Sequence, residues 1–246
     1  MANPVLTREF GTEKSPTSGQ APIVDTGDTM TMSSVLRQTG LLFLLLLAAA
    51  VFGWQQAEVG TLGGVFWGSL IASLILVIAT VVKPQWSRFT APLYAIAEGV
   101  LVGAISRIYS EFYEGIVVQA VLATFAVFVA MLFLYANRVI KVTQRLRSTI
   151  VLATGGVLLF YLISIGLSFF GVDMPLIWDG GPLSIVLSLV IVGIAAFNLL
   201  LDFDTIERGI EHRAPGWMSW FAAFGLMVTL VWLYLEILRL LALSRD

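Results

Sequence analysis

Residues 183–209 read LSIVLSLVIVGIAAFNLLLDFDTIERG, an apolar run that closes on Asp202 and Asp204, with Glu207 just beyond. About 20 apolar residues in a helix cross a hydrocarbon layer of roughly 30 Å. Six further runs of similar length give expected spans at 36–56, 63–82, 89–109, 115–136, 149–170 and 217–242, beside 183–204. Each is expected to be helical, because a loop or open sheet would leave backbone polar groups unsatisfied in lipid. The fold class is therefore all-α: a polytopic membrane protein built as a seven-transmembrane-helix bundle. Composition agrees, with 58% hydrophobic and 12% charged residues among 246 and a mean hydropathy of +0.92.

Residues 1–34 contain Pro4, Pro16 and Pro22 among Gly, Ser and Thr and show no apolar periodicity. They are expected to form a disordered cytoplasmic tail, leaving 35–246 as the transmembrane domain. A signal peptide is the weaker reading of LLFLLLLAAA at 41–50, because the preceding segment is about twice too long and carries acids. Gly63, Gly64 and Gly68, Gly99 and Gly103, and Gly155 and Gly156 are places where helices can pack closely.

Of the 14 Lys and Arg residues, all but Arg107, Arg239 and Arg245 fall on the side of the amino terminus if the seven spans alternate. The positive-inside rule then puts the amino terminus in the cytoplasm, the carboxyl terminus outside, and the base-free loop around Asp173 and Asp179 outside as well. The net charge of −2 offers no field for nucleic acid. The absence of cysteine removes disulfides, thiolate catalysis and metal-thiolate sites.

Chemistry is sought among ionisable groups inside the spans, where a charge costs about 2.5–3.5 kcal/mol on insertion scales. Glu98 lies halfway along the third span on a face with Ala95, Val102 and Ser106. Asp202 and Asp204 close the sixth span, and Asn198, Asp202 and Thr205 share a face. Glu236 is in the seventh, three residues before Arg239 and able to pair with it. Asp204 and Glu207 also read as solvated charges at a cytoplasmic mouth, although acids at a helix carboxyl end oppose its dipole. Carboxylates in such places penalise their own charged form and can also ligate a hard cation, so calcium ligation is conceivable at Asp202, Asp204 and Glu236. Enzymatic readings lack parts: the one histidine, His212, is in a charged loop, and no hydrolase, metalloprotease or phosphate-binding motif is present. Lys14, Lys83 and Lys141 all lie outside the spans, so no buried Schiff base can form.

The stretches DFDTIERG, from Asp202, and TLVWLYLEILRLL, through Glu236, resemble the Bax inhibitor motif family, specifically its bacterial, YccA-like seven-span members of the actinobacterial type. The likeness runs from about residue 36 to the end and is most specific over 197–243. It implies that Leu201-Asp202 and Tyr234-Leu235-Glu236 stand where the family has a pH-sensing acidic pair associated with a calcium leak, in a bacterial inner membrane. Glu236 replaces an aspartate, and the acids are about ten residues further apart in sequence than in simpler relatives. At 1.5 Å per residue they are separated by roughly 20 Å along the membrane normal, unless the seventh helix is broken or its first residues lie in the interface. On depth alone, Glu98 is the better partner for Glu236. Two functions follow as expectations. One is a pH-sensitive cation leak through Asp202, Glu236, Glu98 and Asp204, with Asn198, Thr205 and Arg239 in support. The other is a non-conducting regulator that binds a membrane protease or another membrane protein, with the tail as its contact.

Overall fold

Every apolar run becomes a helix in the structure, a computed structural model that describes residues 29–58, 62–171 and 181–245. In chain order these are α1 (Met32–Glu58), α2 (Leu62–Val82), α3 (Ser87–Phe112), α4 (Ile116–Ala136), α5 (Gln144–Phe169), α6 (Pro182–Glu211) and α7 (Trp217–Leu243), with a 3-10 turn at Pro84–Trp86. Among the described residues, seven helices are long and apolar enough to cross a membrane. Most of the expected tail, and the loop with Asp173 and Asp179, lie outside the described residues.

Helix boundaries differ from the expected spans where polar residues extend an apolar core. α1 begins at Met32 because Thr31 and Ser34 cap it reciprocally, Ser34 N–H donating to Thr31 Oγ1 at 3.2 Å and Thr31 N–H to Ser34 Oγ at 3.1 Å. Thr143 caps α5 by accepting from Leu146 N–H at 3.2 Å, which starts that helix at Gln144 rather than 149. α6 continues to Glu211, so Asp202 and Asp204 lie inside a helix and do not end it. α7 is unbroken from Trp217, and Ser219, Ala222 and Ala223 in its first turns are buried in the bundle.

α7 is the central post, packed against α1, α3, α4 and α6. α6 is its main companion, while α3 also packs on α1 and α2. Three contacts fix α3 and α7 as parallel neighbours: Ser87 Oγ donates to the Trp217 carbonyl at 3.3 Å, Tyr94 meets Phe224 edge-on at 5.1 Å, and Ser106 bonds Tyr234 at 2.6 Å. α1 reaches α3 across glycine. A Cβ on Gly99 would strike the Leu46 carbonyl, one on Gly103 the Ala50 carbonyl, and one on Gly53 the Val100 carbonyl. Lipid solvates Leu as well as protein does, so this backbone proximity, and not apolar burial as such, holds the pair. Gly63, Gly64, Gly68, Gly155 and Gly156, by contrast, face open space. α2 and α5 form the rim, showing Ile71, Leu74, Ile75 and Ile78, and Leu158, Leu159, Leu162 and Ile163, to the surroundings.

One end of the bundle gathers the start of α1, the α4–α5 connection and the α6–α7 turn. There Met30 N–H donates to the Ala214 carbonyl at 2.8 Å, and the Met30 side chain is buried against Gly209. Residues 29–34, expected in the tail, thus belong to the folded bundle.

Candidate functional site

Asp202 projects from α6 onto the α7 face that carries Gly225 and Thr229. Its Oδ1 lies 3.7 Å from where a Gly225 Cβ would be, and the Thr229 hydroxyl is its hydrogen-bonding neighbour. Glycine at 225 leaves the room that the carboxylate fills. Its Oδ2 is buried and has no hydrogen-bond partner. A buried carboxylate oxygen without a donor is costly to charge.

Glu98 of α3 is buried with two hydroxyls beside it, Ser73 of α2 and Tyr94 one turn back on its own helix. The register of α3 on α7 puts Glu98 level with Met227, which is also the depth of Gly225 and Thr229. Glu98 and Asp202 therefore share one depth in the bundle. Among the described residues, neither has an arginine or lysine as a partner.

Glu236 shares the Gly225 and Thr229 face but stands two to three turns further along, about 14 Å from their mean height. Its Oε1 accepts from the Tyr161 hydroxyl of α5 at 2.5 Å, and Arg239 Nη2 lies 3.2 Å from Oε2. Arg239 Nη1 donates to the same Tyr161 oxygen at 2.6 Å, with its guanidinium over the Tyr161 ring. Acid, base and phenol form a buried triad, in which Glu236 Oε2 and Arg239 Nε have no hydrogen-bond partner among the described residues. The structure brings Glu236 to neither Asp202 nor Glu98; the expected pairing of Glu236 with Arg239 is the contact it makes.

At the amino-terminal end, Asp204 is buried and bridges two arginines, Arg147 of α5 and Arg208 one turn on, the latter at 2.8 Å. Glu207 accepts from Arg138 at 2.5 Å and from the Tyr135 hydroxyl of α4. These acids are ion-paired with the basic α4–α5 connection and are not free mouth charges. Lys141, Glu211 and His212 join them around a cavity of about 340 Å³. The supporting residues divide. Asn198 donates to Thr154 Oγ1 of α5 at 2.8 Å, whereas Thr205 returns its hydroxyl to the Leu201 carbonyl of its own helix.

Asp202, Asp204 and Glu236 thus have three separate sets of neighbours. Among the described residues no three His, Asp or Glu side chains converge as a metal cage. Tyr161, Thr154, Arg147 and Tyr94 were not singled out from sequence. A signal for three of them exists: Arg147, Thr154 and Tyr161 recur every seven residues along α5.

Seven long apolar helices with α7 at their centre, and acids buried between them, define a multi-pass helical membrane protein. The sequence profile described as Bax inhibitor 1 like matches residues 3–246, and the chain belongs to that family. No curated protein and no solved structure matches it.

Proposed function

We propose that the protein is a proton-sensitive cation leak, with calcium as the cation, in a bacterial inner membrane and with its amino-terminal end in the cytoplasm. The observation that carries this is Asp202: a carboxylate inside the bundle, one oxygen buried and unpartnered, with no base to neutralise it. Glu98, at the same depth and equally without a base, is its companion. Asp204 and Glu236 are neutralised by Arg147, Arg208 and Arg239, and hold helices together. The resemblance put Glu236 in the sensing pair; the assignment supported by the geometry is Asp202 with Glu98, and Glu236 is a packing residue.

A carboxylate away from water responds to protons because its charged form is the one that burial penalises, and the same charge is what draws a cation in. Calcium flux into proteoliposomes, followed from pH 5 to pH 8, tests the proposal. Asp202→Asn is expected to flatten the pH profile, and Glu98→Gln to weaken it. Wild-type-like profiles in both variants would sink the proposal.

A further inference from the structure

We propose that α5 is the gate of this bundle, a rim helix clasped to α6 and α7 by polar contacts at three depths, whose release opens a hydrophilic seam. The clasps are Arg147 to Asp204, Thr154 to Asn198, and Tyr161 to Glu236 and Arg239. Seven-residue spacing keeps all three α5 side chains on nearly one face, and the stripe spans about 21 Å along the helix. It therefore runs from the amino-terminal cavity to well past the middle of the bundle. The proposal rests on the cation-leak function above and names the element that would control it.

The case lies in what does and does not hold α5 in place. Its one substantial helix neighbour is α6. Among its described apolar side chains Ile150 alone is buried, 5% exposed, between the first and second clasps. Apolar contact scarcely distinguishes docked from undocked in a membrane, since lipid tails replace it at little cost. The polar contacts do distinguish the two states. Once α5 moves off, Thr154 and Tyr161 lose these partners, Asn198 keeps only the Ile194 carbonyl, and Glu236 and Arg239 keep only each other, and hydrocarbon supplies no replacement. Water and ions must then enter the gap, which makes the open state wet along its whole length. Asn198 is one helical turn from Asp202, so the wetted seam reaches the unpartnered carboxylate.

The chain has no cysteine, so Ile150→Cys places a sole thiol inside the seam while leaving every clasp intact. Full-length protein in lipid vesicles is treated with a charged, membrane-impermeant maleimide. Tyr161→Phe, which keeps the Glu236 and Arg239 pair, and Thr154→Val, which keeps side-chain volume, are added singly and together. The labelling rate is expected to rise about tenfold in the combined variant, the scale of a lost interhelical hydrogen bond. In a second arm, Thr154→Cys with Asn198→Cys is oxidised to a disulfide, which should abolish calcium flux until a reductant restores it. Faster labelling with no flux in any variant supports the gate and rejects the leak function. Labelling unchanged by both clasp variants, or a cross-linked protein that leaks as fast as the reduced one, would overturn the gate.

Discussion

Asp202 and Glu236 are both carboxylates inside the bundle, and their surroundings give them opposite tasks. Glu236 has an arginine three residues away and a phenol that touches both. Asp202 has a threonine hydroxyl on one side and, among the described residues, an oxygen with no hydrogen-bond partner. Removing one partner from a buried ion pair leaves a stranded charge, at a cost of about 3–5 kcal/mol. Arg239→Met is therefore expected to lower the thermal midpoint sharply in a detergent unfolding assay. Replacing both partners, Glu236→Leu with Arg239→Met, should recover most of the loss, because no charge is then stranded. A double variant as unstable as the single one would mean that the pair itself, and not its balance, supports the fold. At this scale the sequence identified the acids and only the local partner: Arg239 lies within helical reach of Glu236 and was legible, while Tyr161, 75 residues away, was not.

Helices were the most legible level, because a run of about 20 apolar residues states its own structure in lipid. What the runs do not state is how far each helix slides along its neighbour. The separation of Asp202 and Glu236 along the membrane was anticipated from rise per residue, yet their depths relative to Glu98 follow only from contacts such as Ser106 to Tyr234, 128 residues apart. Glycine was legible in the same partial way. Gly99 and Gly103 meet the α1 backbone, while Gly155 and Gly156, identical in sequence terms, meet nothing. Gly103→Leu must push α1 away by its Ala50 carbonyl, and overpacking of this kind costs about 1–3 kcal/mol. The variant should elute as a less stable or aggregated species on size-exclusion chromatography after mild heating, and Gly156→Leu should match the wild type. Equal behaviour of the two variants would remove the close α1–α3 approach as a source of stability.

The whole molecule is asymmetric from end to end. At one end Met30 is bonded to Ala214, Arg138 and Arg147 reach down to acids of α6, and Lys141, Arg145 and Arg213 lie close by in the chain. At the other, Arg245 spans to the Glu114 carbonyl and to Gln119 at the start of α4, with the Arg107 and Glu111 pair nearby in sequence. Orientation follows the Lys and Arg residues of short loops rather than the net charge, which supports the proposal that the first end lies in the cytoplasm. Seven crossings then require Ser244, just past α7, to face outward. Asn137 and Ser244 are both exposed, neutral and at opposite ends, and the chain supplies no competing thiol. In intact cells an impermeant maleimide is expected to label Ser244→Cys and to leave Asn137→Cys unlabelled until the membrane is permeabilised. The reverse pattern would place the Arg147 and Asp204 clasp at the outer face, and calcium would then meet the paired acids before Asp202 when it enters the cell.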